Sequence, residues 1–167
     1  MSHPKNISIQ YIPFLSNYVF FPKLDGIHYF VYFHKDGIFY INDTELKYMH
    51  KSIPTLNQSI FLGELVDNKM YIFDSLFYTT NNIQHLPLLD RLEYIKQTPL
   101  TQIKGYNTPK EAMDFNSLPT DGIICVPTNK PYRNNKTYKW KPPNMLTIDF
   151  HVKFDRVEEK QHIFKIY

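Results

Sequence analysis

Two stretches of aromatic and β-branched residues, each folded back on itself by a short turn, constrain this chain more than any other feature. His28 to His34 runs into Asp36-Gly37 and returns as Ile38 to Ile41. Ser59 to Val66 runs into Asp67-Asn68 and returns as Met70 to Leu76. Such short turns join strands antiparallel, because a parallel return needs a crossover of a dozen residues or more. Tyr18 to Phe21, Ile123 to Val126, Tyr138 to Lys141, Leu146 to Phe154 and Gln161 to Tyr167 read as further strands, interrupted at Pro142-Pro143. An aromatic content of 16%, mostly Tyr and Phe, suits strands.

Helices are fewer. Leu88, Leu92 and Ile95 fall at i, i+4 and i+7, with Leu89 on the same side, while Asp90, Arg91, Glu93 and Lys96 cover the rest. This spacing predicts a helix from Gln84 or Pro87 to Gln97. A shorter helix is expected over Pro109 to Met113, with Thr108 as N-cap and Pro109 at the first position. Asn42 to Asn57 is expected to hold a short helix or loop around Glu45 to His50, and Ile103-Lys104 a short strand. The class is α+β, with one domain over residues 1–167.

Composition removes several functions. The longest apolar runs are a few residues, so no membrane span is expected, and Met1 to Lys5 carries no signal-type stretch. The single cysteine, Cys125, excludes an internal disulfide and a Cys-rich zinc site, which fits a reducing, intracellular home. The seven histidines show no H-x-x-x-H spacing, and neither a P-loop nor a G-x-S-x-G elbow is present. The net charge of +3 is compatible with a phosphate-bearing partner without identifying one.

Four short segments carry chemistry: Lys23-Leu24-Asp25-Gly26; Gly63-Glu64-Leu65-Val66 with Tyr71-Ile72-Phe73-Asp74; Asp121-Gly122-Ile123-Ile124; and Lys139-Trp140-Lys141. Singly, each has an ordinary reading: a surface turn, a hairpin with outward carboxylates, a turn into a core strand, a strand with a solvated face. Their order is what distinguishes them. In this order they resemble the covalent nucleotidyltransferase family, which joins mRNA capping enzymes and ATP-dependent polynucleotide ligases. Its blocks run K-x-D-G, G-E-L with aromatic-D, E/D-G-x-I/V, and K-x-K. The stretch Thr120 to Ile124, Pro127, Asn129-Lys130-Pro131-Tyr132, Tyr138 to Pro143 and Leu146 to Phe150 is similar to the capping branch, where Asp replaces the ligases' Glu in the third block.

The resemblance implies a nucleotidyltransferase core of two packed antiparallel sheets with peripheral helices and a nucleotide cleft between them. It implies that Lys23 attacks the α-phosphate of GTP, forming a Lys-GMP intermediate, and that GMP passes to the 5′-diphosphate end of RNA. It assigns Asp25 to orienting Lys23, and Asp121 with Glu64 to a metal, Mg2+ or Mn2+. Gly26, His28, Glu64, Phe73 and Lys104 are then expected at the nucleotide, Phe73 stacking on guanine and Lys104 near its O6. A free lysine has a pKa near 10.4, so only about one in two thousand is an unprotonated nucleophile at pH 7. Neighbouring cations and burial favour the neutral amine, and Lys139 and Lys141 are the cations the sequence offers. Mg2+ prefers oxygen ligands and keeps water.

The sequence departs from the family at three positions: His28 stands where many members have Arg, Leu24 where cellular enzymes have Thr, and Cys125 where Phe is usual. Cys125 is expected as a core residue rather than a nucleophile. Only 26 residues follow Lys141, too few for the five-stranded OB barrel that family members append. The OB domain is therefore expected to be absent, and a separate OB domain, triphosphatase or methyltransferase becomes a candidate partner. Two other readings stay open: a ligase-type adenylyltransferase, and a non-catalytic module that binds RNA ends or a partner. Richness in Ile, Asn, Lys, Tyr and Phe suggests an AT-rich genome, and with it a large DNA virus and a cytoplasmic location, in a viral factory or the virion.

Overall fold

The computed structural model describes residues 4–49, 51–133, 136–146, 152–158 and 161–166. The strands are β1 (Lys5–Asn6), β2 (Tyr18–Leu24), β3 (Ile27–His34), β4 (Gly37–Ile41), β5 (Leu46–Met49), β6 (Ser59–Val66) and β7 (Lys69–Tyr78). After them come β8 (Asn81–Asn82), β9 (Thr101–Gln102), β10 (Thr120–Pro127), β11 (Tyr138–Trp140), β12 (Val152–Glu158) and β13 (Gln161–Ile166). The α-helices are α1 (Leu88–Lys96) and α2 (Pro109–Met113). One sheet has the order β1-β11-β10-β2. The other runs β5-β4-β3-β6-β7-β8, with β9 beside β7, and β12 and β13 form a two-stranded ribbon.

Pairing is antiparallel except at β1 with β11 and β7 with β9. Both expected hairpins form. Asp67 and Asn68 have φ of 48° and 62°, the left-handed pair that a tight two-residue turn demands. In the first hairpin His34 pairs with Gly37, so the turn is Lys35-Asp36, one residue earlier than Asp36-Gly37. Of the stretch around Glu45 to His50, Leu46–Met49 is neither helix nor loop but the edge strand β5, and His50 lies outside the described residues. Leu46 and Met49 on it are exposed, so β4's open hydrogen-bonding edge sets this conformation rather than side-chain burial. The strand expected at Ile103-Lys104 is displaced to Thr101–Gln102, and Ile103 continues it through one N–H bond to Ile72 O. Of the strand expected over Leu146 to Phe154, the part from Val152 is seen, in β12; Thr147 to His151 lies outside the described residues.

Helix α2 begins as expected, with Thr108 and Glu111 closing a reciprocal capping box. Helix α1 buries Leu88, Leu92 and Ile95, but two side chains trade places with the expectation. Leu89 is 51% exposed and Arg91 is 1% exposed. The reason is Asp74 on β7, itself buried: Arg91 Nε and Nη2 donate to its two carboxylate oxygens at 2.8 Å each. Arg91 Nη1 donates to Leu86 O at 2.6 Å and to Lys130 O at 3.3 Å. The guanidinium thus ties β7, the start of α1 and the segment after β10.

The two sheets share one core. Phe21 and Leu24 of the first meet Val31, Phe33 and Phe61 of the second, with Leu88, Leu92 and Ile95 of α1. The outer face of the first sheet is covered separately: Phe20, Ile123 and Cys125 pack with Ile12 and Ala112, and Trp140 and Tyr138 lie against them. Among the described residues no helix is long and apolar enough to cross a membrane.

Removing one partner of a buried pair leaves the other charge uncompensated, which costs about 3–5 kcal/mol. Arg91→Met is therefore expected to lower urea-unfolding stability by about that much, and Arg91→Met with Asp74→Leu to recover most of it. A double variant no more stable than the single one would show that the pair contributes little beyond packing.

Candidate functional site

Strands β2 and β10 run antiparallel, and their alternation sorts side chains between two environments. Phe20, Ile123 and Cys125 face the outer core, whereas Phe21, Lys23, Ile124 and Val126 face the second sheet. Between the sheets lies a cleft of about 530 Å³, whose walls include Phe21, Lys23 and Ile124 on one side and His28, Glu64 and Phe73 on the other. That volume is within the usual range for small-molecule sites, about 300–1,000 Å³.

Lys23 is next to last in β2, and Ile27 already belongs to the other sheet. The Asp25-Gly26 link therefore crosses between sheets, and it must do so in a tight space. A Cβ on Gly26 would sit 2.6 Å from Leu65 O and 2.9 Å from Glu64 Cγ, so only glycine fits. The Gly26 N–H donates to Glu64 Oε1 at 3.3 Å, holding that carboxylate at the mouth of the cleft.

Asp121 is placed by a β-bulge. Thr120 pairs with Leu24 and Gly122 with Lys23, leaving Asp121 as the extra residue. Gly122 has φ 148°, and a Cβ there would lie 2.0 Å from Trp140 O, so the backbone of β11 requires glycine at this position. Lys23 Nζ is 2.7 Å from Asp121 Oδ1 and Lys141 Nζ is 2.5 Å from Oδ2. Residues brought from β2, β10 and the end of β11 thus converge on one carboxylate. Burial pushes the Asp121 carboxyl up, but the hydrogen bonds and charges of Lys141 and Lys23 outweigh it and hold it below the usual aspartate range. Glu64 goes the other way: burial raises it, Lys23's charge and the Gly26 N–H oppose without cancelling, and the charges of Asp121 and Asp25 add to the rise.

A second bulge places Phe73. Leu62 pairs with Asp74 and Gly63 with Ile72, so Phe73 is the extra residue of β7. Its ring centroid is 5.5 Å from that of His28, which is the cross-strand partner of Glu64. Lys139 sits opposite Ile124 in the ladder, on the face away from Tyr138 and Trp140. Two expected residues stand apart from the Lys23–Asp121 contact, although the charge of one, Asp25, still acts on Glu64. Asp25 is exposed, with its N–H donated to Pro119 O, and Asp121 rather than Asp25 contacts Lys23. Lys104 is exposed with its ammonium 4.9 Å from the Tyr106 ring centre, and Ile103 lines the cleft in its place. Cys125 is buried, its thiol pushed up to about 12 by desolvation, as an inert core residue should be.

The sequence reading missed the deep wall. Asp74, Arg91 and Tyr132 line the cleft beyond Phe73, with the guanidinium 6.0 Å from the Tyr132 ring centre. Asp74 and Tyr132 stand in the quoted segments, so a signal existed. Arg91 carries none, since its helix spacing reads as solvated.

A divalent ion has a plausible oxygen set here. Asp121 Oδ1 is buried beside the Lys23 ammonium, and Glu64 offers a second carboxylate from the opposite sheet. No group of three or more His, Cys, Asp or Glu suited to a metal occurs among the described residues. These residues therefore fit the mode in which one or two carboxylates and substrate phosphates share Mg2+, rather than an all-protein cage.

No protein-family profile matches the chain. Among curated proteins, the mRNA-capping enzyme of African swine fever virus is 26% identical, in isolates Tick/South Africa/Pretoriuskop Pr4/1996 and Warthog/Namibia/Wart80/1980 and in strain Badajoz 1971. The match covers 78% of this chain, which spans only 18% of the length of these relatives. Among solved structures, mycobacterial DNA ligase D complexed with ATP and MES superposes with a TM-score of 0.55 at 15% identity, covering 74% of this chain and 54% of that one. The ligase domain of M. tuberculosis LigD gives 0.56 at 14%, covering 74% and 53%. The chain has the α+β nucleotidyltransferase fold of these ligase domains, and its sequence is similar to one segment of a viral mRNA-capping enzyme.

Proposed function

We propose that this chain is the core of an mRNA guanylyltransferase in which Lys23 carries GMP. The observation that supports this best is the convergence of Lys23, Asp121 and Lys141 on one point beside Glu64, at the mouth of a cleft with an aromatic wall. The similarity to a viral capping enzyme favours GTP and RNA over the ligase alternative.

In the first step the Lys23 amine attacks the α-phosphorus of GTP. The Lys23 ammonium first gives one proton to solvent to free its lone pair; a phosphorus–nitrogen bond then forms, the bond to the β-phosphate oxygen breaks, pyrophosphate leaves, and the nitrogen releases a second proton to solvent. The resting contact with Asp121 has to yield for this, because the amine needs its lone pair. Lys141 then supplies positive charge to the α-phosphate oxygens as the phosphorus becomes five-coordinate. The purine enters between Phe73 of one sheet and Ile124 of the other, with Glu64 and His28 near the ribose. In the second step a terminal oxygen of the RNA 5′-diphosphate attacks the same phosphorus, the phosphorus–nitrogen bond breaks, and Lys23 recovers both protons. A divalent ion held by Asp121 and Glu64 would neutralise charge on the phosphates. Cytoplasmic action in a viral setting is part of this reading, as are partners such as an OB domain, a triphosphatase or a methyltransferase.

Incubating the chain with α-labelled GTP and Mg2+ or Mn2+ is expected to give acid-labile label on the protein, abolished in Lys23→Ala. Label from ATP alone would assign the chain to adenylyl transfer. Absence of saturable binding of either nucleotide would sink the reading in favour of a non-catalytic module.

The two carboxylates predict a pH profile. Asp121 titrates below its usual range and Glu64 above, so on acidification Glu64 protonates first while Asp121 is still ionised. GTP labelling is expected to fall along an acid limb lying above the ordinary glutamate value of about 4.3. In Glu64→Gln that limb should vanish, leaving a decline only at the lower pH where Asp121 protonates. An unchanged limb in the variant would show that another group controls it.

A further inference from the structure

The segment after β10 carries five cations, Lys130, Arg133, Lys136, Lys139 and Lys141, and no acidic residue stands between Gly122 and Leu146. That local charge exceeds the net +3 of the whole chain. The cleft chemistry uses one end of this row, Lys141 at Asp121. The rest runs away from it. Lys139 is on the cleft face of β11, and Lys136, Arg133 and Lys130 are exposed. From Lys141 back to Lys136 the chain covers about 16 Å at the rise of an extended strand.

The row ends at a separate cavity of about 280 Å³, at the opposite end of β2 from Lys23. Lys130 and Lys136 line it together with Phe14, Asn17 and Asn129. Its walls are fixed by hydrogen bonds between distant segments. The Tyr18 hydroxyl donates to Lys136 O at 2.9 Å, and Thr128 donates to Asn17 O through its N–H at 2.8 Å and its hydroxyl at 3.0 Å. Phe14 is 81% exposed, the largest exposure among the described large hydrophobic residues. An aromatic ring left in water beside two preplaced lysines suits one chemistry: a base stacks on the ring while flanking phosphates meet the cations.

We infer that Phe14, Lys130 and Lys136 form a docking site for the single-stranded acceptor polynucleotide, which follows Lys139 and Lys141 toward Lys23 with its 5′ end. This rests on the nucleotidyl-transfer reading for its direction but not for its binding. The acceptor's bases are held without sequence readout, because a lone aromatic platform accepts any base face. The guanosine occupies the cleft itself, so the acceptor lies along the rim and not within it.

The test is fluorescence anisotropy of a 3′-labelled single-stranded oligoribonucleotide bearing a 5′-diphosphate, titrated with the whole chain over a range of salt. GTP self-labelling is measured in parallel. Phe14→Ala is expected to weaken binding about tenfold. Lys130→Ala with Lys136→Ala should weaken it similarly and reduce the salt slope by about 1.4, the value for two phosphate contacts on a single strand. Self-labelling should be unchanged in both. Variants that bind like the parent, a parent that binds no oligonucleotide, or duplex RNA bound as tightly as single strand would each overturn the site. Absent self-labelling with the variant effects intact would instead remove the guanylyltransferase reading and leave the docking site standing.

Discussion

The guanidinium of Arg91 is the interaction on which the layout of the deep wall depends. Its fork meets both oxygens of Asp74, and the remaining nitrogen reaches Leu86 O and Lys130 O. Taking two charges out of water costs several kcal/mol per ion, so such a pair persists only where the geometry is bidentate and the other donors are used. Both conditions hold here. The same side chain seats α1 on β7 and anchors the start of the basic segment, so the floor of the cleft and its cationic rim share one support.

At the mouth, a different balance operates. Asp121 is shared by Lys23 and Lys141, and the two cations outweigh the burial that alone would raise its pKa. Glu64, facing them from the other sheet, stays above its ordinary range because burial prevails. Two carboxylates a short way apart are therefore prepared differently by their surroundings, one committed to its charge and one close to losing it. That difference arises from which sheet each belongs to and from two glycines, Gly26 and Gly122, whose backbones approach neighbours too closely for any side chain.

Much of this could be read in the sequence, for reasons that differ by element. The β6–β7 hairpin followed from alternation and from Asp67-Asn68, and α2 from Thr108 and Pro109, because those signals are local. Strand β5 did not, since Leu46–Met49 takes its conformation from an edge offered by β4 and buries little of itself. Arg91 read as solvated because helix periodicity describes spacing and cannot see a partner 17 residues away on a strand. Lys23, Glu64, Asp121 and Lys141 were legible through the order of their motifs. Lys104 was assigned to guanine O6 by resemblance alone, and its ammonium lies 4.9 Å from the Tyr106 ring centre.

The crossing at Asp25-Gly26 also gives the cleft a fixed side. Three peptide bonds separate Leu24 of one sheet from Ile27 of the other, so the sheets are riveted together beside Lys23. Some 20 Å away, at the far end of β2, the segment after β10 is held by hydrogen bonds instead: Arg91 Nη1 donates to Lys130 O at 3.3 Å and the Tyr132 N–H to Gln84 O at 2.9 Å, with the Tyr132 ring beside the guanidinium. The two ends of the cleft are thus closed by different means, a covalent crossing beside Lys23 and hydrogen bonds from the segment after β10 at the other. The distance from Lys23 to Asp121 depends on neither, because both stand on paired strands of one sheet.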